Sequence, residues 1–190
     1  DIDADLYWNN DAFTASFLTG RIDDIALQRG RIVIEPVLEG IQKNAVISLN
    51  AKGAASTAMD LARQAGLSQY GSFDFSQIKA DGEVEFSLEA ALPLGKSASL
   101  ANRIKKLDAT ISNGSFRNLS NQMTVDDAEL VMNISADNSQ ITGTATVYGA
   151  PSEFSLEIDH QKRHVELVGQ TPPFSLFSVA IARIIVCDIS

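Results

Sequence analysis

Apolar and polar residues alternate without interruption between Ile78 and Leu92. A period of two is typical of a β-strand with one apolar face and one solvated face, and here the solvated positions include Glu83, Glu85 and Glu89. At about 3.3 Å per residue this strand would run roughly 50 Å, far beyond a usual globular strand. We therefore expect the longest strand of the chain here, with an apolar neighbour along one side.

The same alternation recurs in shorter segments before and after this one. The Asn113-Gly114 dipeptide is the strongest hairpin signal in the chain and predicts a turn between two strands. Short turn signals separate most of the segments, which predicts an antiparallel meander and not a parallel sheet with helices between strands. The further segments are 2–8, 32–34, 47–51, 107–111, 123–134, 141–147, 154–158 and 165–169.

One segment changes to a helical period. Ser56 can cap a helix, Met59, Ala62 and Ala65 recur at three-residue spacing, and Gly66 supplies a stop. The sequence therefore predicts one short α-helix over 56–67 in a mainly β chain. The predicted fold is a long, twisted meander sheet that forms an apolar groove or half-barrel, and the alternative is a closed β-sandwich.

Composition narrows the possible functions. The 190 residues suit a single β-rich domain over 1–170, followed by a tail over 171–190 that the Pro172-Pro173 pair interrupts. The start at Asp1, already inside an alternating segment, indicates a piece of a longer protein, and the tail suggests a truncated or non-native end. The net charge of −9 disfavours nucleic acid as a partner.

Candidate chemistry is sparse. His160 and His164 have a spacing that suits zinc on a helix, but a polar segment separates them, which favours a solvated turn. Asp1, Asp3 and Asp5 resemble the start of a calcium loop, yet Leu6 occupies the position that requires glycine, which favours the wet face of a strand. No nucleophile or phosphate-loop motif is present, so we predict no enzymatic activity and no cofactor or metal.

The order of elements over about 49–169 resembles a domain of the AsmA-like superfamily, the TamB and YhdP group of Gram-negative envelope proteins. The matching features are a strand that ends near 51–53, the helix around 59–61, the entry into the long strand at 80–84, the 92–94 exit, a basic connector, and the strands through 142–145 and 154–156. The resemblance rests on pattern and order over roughly two thirds of the chain.

This resemblance implies a periplasmic, non-catalytic module of a parent protein anchored in the inner membrane and involved in phospholipid transport and outer-membrane biogenesis. Its implied partners are phospholipid acyl chains and neighbouring β-domains of the same parent chain. The alternative is a structural or adhesive envelope module in which the apolar face is ordinary core.

The predicted lipid-contacting residues occupy the apolar positions of three strands. They are expected to line one continuous surface that can hold acyl chains, and they are Val84, Phe86, Leu88, Leu130, Met132, Ile134, Phe154, Leu156 and Ile158.

Overall fold

The computed structural model describes residues 2–8, 12–34, 44–64, 69–70, 73–74, 76–93, 104–119, 123–147, 149–159, 164–170 and 182–186. The chain is mainly β. Before the helix come β1 (Ile2–Trp8), β2 (Phe13–Ile22), β3 (Ile25–Ile34) and β4 (Asn44–Ala54). The helix is α1 (Ala55–Gln64), followed by β5 (Gln69–Tyr70) and β6 (Phe73–Asp74). The remaining strands are β7 (Lys79–Pro93), β8 (Ile104–Leu119), β9 (Met123–Ser135), β10 (Asn138–Val147), β11 (Ala150–Asp159), β12 (His164–Gln170) and β13 (Ala182–Val186).

Eleven of these strands form one antiparallel sheet, in the order β1-β2-β3-β4-β7-β8-β9-β10-β11-β12-β13. Each strand therefore pairs with its neighbours in the chain, and only the α1–β6 insertion interrupts the meander. Since β1 and β13 lie at opposite edges, the sheet is not a closed barrel. The predicted mainly β meander with one helix is confirmed. In the described residues the second sheet is only the β5–β6 pair, so the closed-sandwich alternative does not hold.

The long strand predicted over 78–92 is β7, displaced by a single residue. The expectation that it is the longest strand is wrong, because β8 has 16 residues and β7 has 15. The predicted hairpin at Asn113-Gly114 is also wrong, since both residues lie inside β8. These two errors have one cause, which is the local backbone geometry at Asn113.

Asn113 and Gly114 form a β-bulge. Asp81 pairs with Ser115 and Glu83 with Ser112, so the two bulge residues lie opposite the single residue Gly82. Asn113 has φ 51° and Gly82 has φ 106°. A Cβ added to Gly82 would lie 2.7 Å from the Asn113 carbonyl oxygen. Only glycine suits this position, and β8 continues through the bulge instead of turning.

The helix α1 begins directly after β4 and packs mainly on β7, with further contacts to β4. It confirms the predicted helix over 56–64, and the predicted residues 65–67 lie outside the described residues. Arg63 donates a hydrogen bond to the Ile78 carbonyl oxygen and pairs with Asp60 at 2.5 Å. These contacts hold the last turn of α1 near the start of β7.

A packed core lies where α1 meets the sheet. Its small members allow close approach of the helix, and Ala128 is fully buried. Partly buried Ala58, Met59, Phe86, Phe116, Met132 and Val147 pack around it. The buried members of the packed core are Ala55, Ala80, Val84, Ala109, Ile111, Val125, Ala128, Leu130 and Ala145.

The predicted tail over 171–190 contributes one strand to the sheet. Five of its residues form β13, which pairs antiparallel with β12 through Val165–Val186 and Leu167–Ile184. The remaining residues of the tail, including Cys187, lie outside the described residues.

Candidate functional site: an apolar strip across the sheet

Strand pairing arranges apolar residues in rows that cross the sheet. Residues directly opposite each other on antiparallel strands share a face, so a row can be followed from strand to strand. We call the rows from β7 to β11 inner, middle and outer, and together the apolar strip. The inner row is Val84, Ile111, Leu130, Gly143 and Phe154; the middle row is Phe86, Ala109, Met132, Ile141 and Leu156; the outer row is Leu88, Leu107, Ile134, Ser139 and Ile158.

The nine predicted lipid-contacting residues all fall on this one face. They supply the β7, β9 and β11 positions of the three rows, and the strands between them supply the rest. Of Phe154 only the register position, opposite Gly143, is described. The pairing therefore brings together the positions that the sequence pattern assigned to one surface. Contact with lipid stays a prediction.

Sequence reasoning did not assign the bridging positions on β8 and β10 to the site. Leu107, Ala109, Ile111 and Ile141 supply the apolar bridging positions, and Gly143 and Ser139 complete the inner and outer rows on β10. Their alternation was visible in the sequence, and a meander requires the intermediate strands to contribute to the same face. The alternation of these segments, together with the predicted meander, could have identified the bridging residues.

The rows differ in burial. Val84, Ile111 and Leu130 in the inner row are 7%, 8% and 7% exposed and belong to the packed core. In the outer row, Leu88, Leu107, Ile134 and Ile158 are only half-buried, whereas Ser139 is buried. In the part of the chain that the structure describes, α1 packs mainly on β7 and adds Ala55 to the packed core, which includes Val84, Ile111 and Leu130 of the inner row. The apolar strip thus has a closed side and an accessible side.

The dimensions of the apolar strip follow from sheet geometry. Neighbouring strands lie about 4.8 Å apart, so the five strands from β7 to β11 extend each row roughly 19 Å across the sheet. The outer row continues onto Leu49 of β4 and Val165 of β12. No position in the three rows carries an ionisable group. Such a surface can bind apolar chains.

The opposite face of the sheet is polar, and Glu83, Glu85 and Glu89 are exposed there as predicted. Its ion pairs are solvent-accessible. The hydrogen bond and charge of Glu83, whose carboxylate lies 3.0 Å from the Lys52 ammonium, raise the pKa of Lys52. The Asp108 carboxylate lies 2.6 Å from the Lys106 ammonium, and its hydrogen bond and charge raise the pKa of Lys106 in the same way. These pairs contribute little to stability because water screens them.

One further surface pair joins β8 to β9. The Arg117 guanidinium lies 2.5 Å from the Asp126 carboxylate, and Ser115 donates to the same oxygen at 3.2 Å. The hydrogen bond from Arg117 is the main cause that lowers the pKa of Asp126 from its ordinary value. The contact supports the polar side of the sheet beside the bulged region.

Metal-binding candidates gain no geometric support. His160 and Asp1 lie outside the described residues, and His164 is the first residue of β12. Asp3 and Asp5 are exposed on β1, which confirms that they belong to the polar face of a strand. Among the described residues, no group of three or more His, Cys, Asp and Glu could hold a metal ion. Within the same residues, no helix has the length and hydrophobicity to cross a bilayer.

Comparison with protein-family models, curated proteins and solved structures finds no significant match to this chain. The AsmA-like resemblance therefore stays a prediction, and the functional argument rests on the geometry of the apolar strip.

Proposed function

We propose that this chain is a non-catalytic lipid-binding module in which the apolar strip holds phospholipid acyl chains. One observation carries the proposal: three rows that are apolar except at Ser139 cross the same sheet face, and the apolar members of the outer row are half-buried. A monomeric protein seldom leaves a large apolar surface accessible unless that surface has a binding role.

The energetics of the apolar strip suit an acyl chain. Each methylene removed from water contributes about 0.8 kcal/mol, so ten methylenes along a row would contribute roughly 8 kcal/mol before the cost of association. A row without charges also imposes no preference for a particular headgroup. The surface would therefore select for apolar chains, and any headgroup would remain beyond its edge.

The cellular setting of the proposal comes from the resemblance to AsmA-like domains. On that basis the chain is part of a periplasmic protein anchored in the inner membrane, which transports phospholipid for outer-membrane biogenesis. Neighbouring β-domains of the same parent chain are the further partners that this resemblance implies. The acidic composition, with a net charge of −9, supports the absence of nucleic acid from the partners.

Native mass spectrometry of the purified chain tests the proposal, since a chain that holds phospholipid should retain it as an added mass. The informative variant is Leu88→Glu, which places a charge in the outer row away from the packed core. Its matched control is Ser87→Glu, which places the same charge on the exposed opposite face of the same strand.

We expect the Leu88→Glu variant to fold and to lose bound phospholipid, and the Ser87→Glu variant to retain it. If Leu88→Glu instead unfolds the chain, the outer row is a packed core, because an unpaired carboxylate is strongly destabilising there. That result would favour the structural or adhesive alternative. Retention of lipid by a folded Leu88→Glu variant would exclude the outer row as the lipid site.

A further inference from the structure

The edge strand β1 exposes an unusual amount of apolar surface. Leu6, Tyr7 and Trp8 are 70%, 64% and 75% exposed and follow one another in the chain. Within the described residues, β1 pairs with β2 alone, so its other side presents unpaired backbone groups. Three consecutive exposed apolar side chains on an open edge are a feature that soluble proteins usually avoid.

The two faces of β1 continue the two faces of the sheet. Leu6 lies opposite Ala15 and Trp8 opposite Phe13, and the Trp8 and Phe13 ring centroids are 5.8 Å apart. Ala15 lies in turn opposite Ile32, so Leu6 belongs to the apolar face. Asp3, Asp5 and Tyr7 occupy the alternate positions and form the polar face of the strand.

The protection of the β1 edge is limited to two carboxylates and one register shift at its start. The strand has no Lys, Arg or Pro, and its single register irregularity lies between Asp3 and Ala4, at the end remote from Trp8. A strand that added here would find a straight backbone ladder over Ala4–Trp8, apolar neighbours on one face and carboxylates on the other.

The carboxylates determine which partner fits. In a symmetric antiparallel pair of two copies, the register that overlaps all seven residues places Asp5 opposite Asp5. Like charges directly opposite are destabilising in a sheet, whereas opposite charges are favourable. The acidic face of β1 therefore disfavours a second copy and favours a partner with basic residues.

We infer that β1 is a docking edge for an extended polypeptide segment of a partner, with apolar side chains on one face and Lys or Arg on the other. The partner segment adds as a twelfth strand. Its apolar side chains cover Leu6 and Trp8, and its basic side chains pair with Asp3 and Asp5. This inference is independent of the proposed lipid function, because it concerns an edge of the sheet and not the apolar strip.

Trp8 provides the readout, because it is the only tryptophan in the chain. The probes are two seven-residue peptides, one that alternates valine with lysine and one that alternates valine with glutamate. We expect the lysine peptide to shift the Trp8 emission to shorter wavelength as the ring leaves water, with weaker binding at high salt. The glutamate peptide should leave the emission unchanged.

Charge reversal sharpens the test. The Asp5→Lys variant should bind the lysine peptide at least about fivefold more weakly and should respond to the glutamate peptide. The control is Glu153→Lys, which makes the same change in net charge at an exposed position on β11 and should behave like the unmodified chain.

Four outcomes would overturn the inference. In the first, neither peptide shifts the Trp8 emission. In the second, the lysine and glutamate peptides shift the Trp8 emission equally. A Trp8 shift that depends on protein concentration without peptide would identify a second copy as the occupant. A shift with phospholipid vesicles alone would identify a membrane surface instead.

Discussion

The inner and outer rows of the apolar strip have similar residues but different surroundings. Ile111 and Leu130 of the inner row are buried in the packed core, whereas Leu107 and Ile134 of the outer row, four positions away on the same two strands, are half-buried. The alternation along β8 and β9 is the same in both places. The difference shows that the pattern of a strand determines its apolar face, while the packing around each position determines how much of that face is closed.

Two local features close the inner side. Ala55 of α1 belongs to the packed core together with small residues of the sheet such as Ala80, and Arg63 links the last turn of α1 to the Ile78 carbonyl oxygen. The bulge at Asn113-Gly114 lies beside the same region and increases strand twist there. The register of β7 and β8 also shifts on the outer side, between Glu89 and Ala90, so within the described residues the helix contact and not the bulge distinguishes the two sides.

Replacing a leucine by alanine in the inner row or in the outer row should produce the largest difference in the free energy of unfolding. Leu130→Ala in the inner row should lower the free energy of unfolding by about 2–5 kcal/mol, because it leaves a cavity in the packed core. Leu107→Ala in the outer row should lower it by roughly half as much, because its side chain already meets water. Chemical denaturation of both variants measures the difference, and equal losses would contradict the division into closed and open sides.

The bulge should be the next most sensitive feature. Gly82→Ala forces a Cβ to within 2.7 Å of the Asn113 carbonyl oxygen at φ 106°, so we expect a loss of about 1–3 kcal/mol. Gly149→Ala is the control, since its φ is 78° but nothing lies within 4 Å. Thermal or chemical unfolding should rank Gly82→Ala as the more damaging. The reverse order would mean that close approach at the bulge is unimportant.

The attachment of α1 should depend on Arg63. Arg63→Met removes the hydrogen bond to Ile78 but keeps the length of the side chain, and we expect it to lower stability by about 1 kcal/mol. Hydrogen exchange should rise in α1 and at the start of β7 while β11 stays protected. Gln64→Met, at the neighbouring exposed position, should change neither quantity. Unchanged exchange in α1 of Arg63→Met would show that other contacts hold the helix.

The smallest expected effect is a pH dependence at the Arg117–Asp126 pair. The hydrogen bond from Arg117 holds the pKa of Asp126 below its ordinary value of 3.8, so the unfolded carboxyl binds a proton more readily than the folded one. The contribution to stability is complete above that ordinary value and is lost as pH falls through the lowered pKa.

Asp126→Asn should therefore make stability less dependent on pH between about pH 5 and pH 3. Glu153→Gln, on an exposed carboxylate remote from this pair, should leave the dependence as it is. Denaturation curves across this range measure both variants. The same slope for Asp126→Asn and the unmodified chain would argue that solvent screens the pair completely.

The sequence predicted the features that depend on local pattern. These are the bounds of β7, the position of α1, the meander order, and the common face of Val84, Met132 and Ile158. The Asn113-Gly114 prediction failed because a hairpin turn and a bulge use the same backbone conformation. The bulge is distinguished from a turn by Gly82, which lies opposite Asn113 and Gly114 on β7, about thirty residues earlier in the chain. This contact exists only once β7 and β8 pair.

The burial of individual rows was likewise beyond the sequence. Leu88 and Val84 occupy equivalent positions in the alternation of β7, yet only Val84 belongs to the packed core. The position of α1 on the sheet depends on the direct connection from β4 and on small residues spread over five elements. Such long-range packing cannot be inferred from a strand pattern alone.

Three neighbouring positions on β8 allow the most direct test of lipid binding in the apolar strip. A photo-crosslinking amino acid is placed at Leu107 in the half-buried outer row, at Ile111 in the packed core, or at the exposed Thr110 on the opposite face, and each folded chain is irradiated with phospholipid. We predict strong phospholipid adducts at Leu107, and few at Ile111 or Thr110. Equal labelling at Leu107 and Thr110, or no labelling at any of the three positions, would contradict the account.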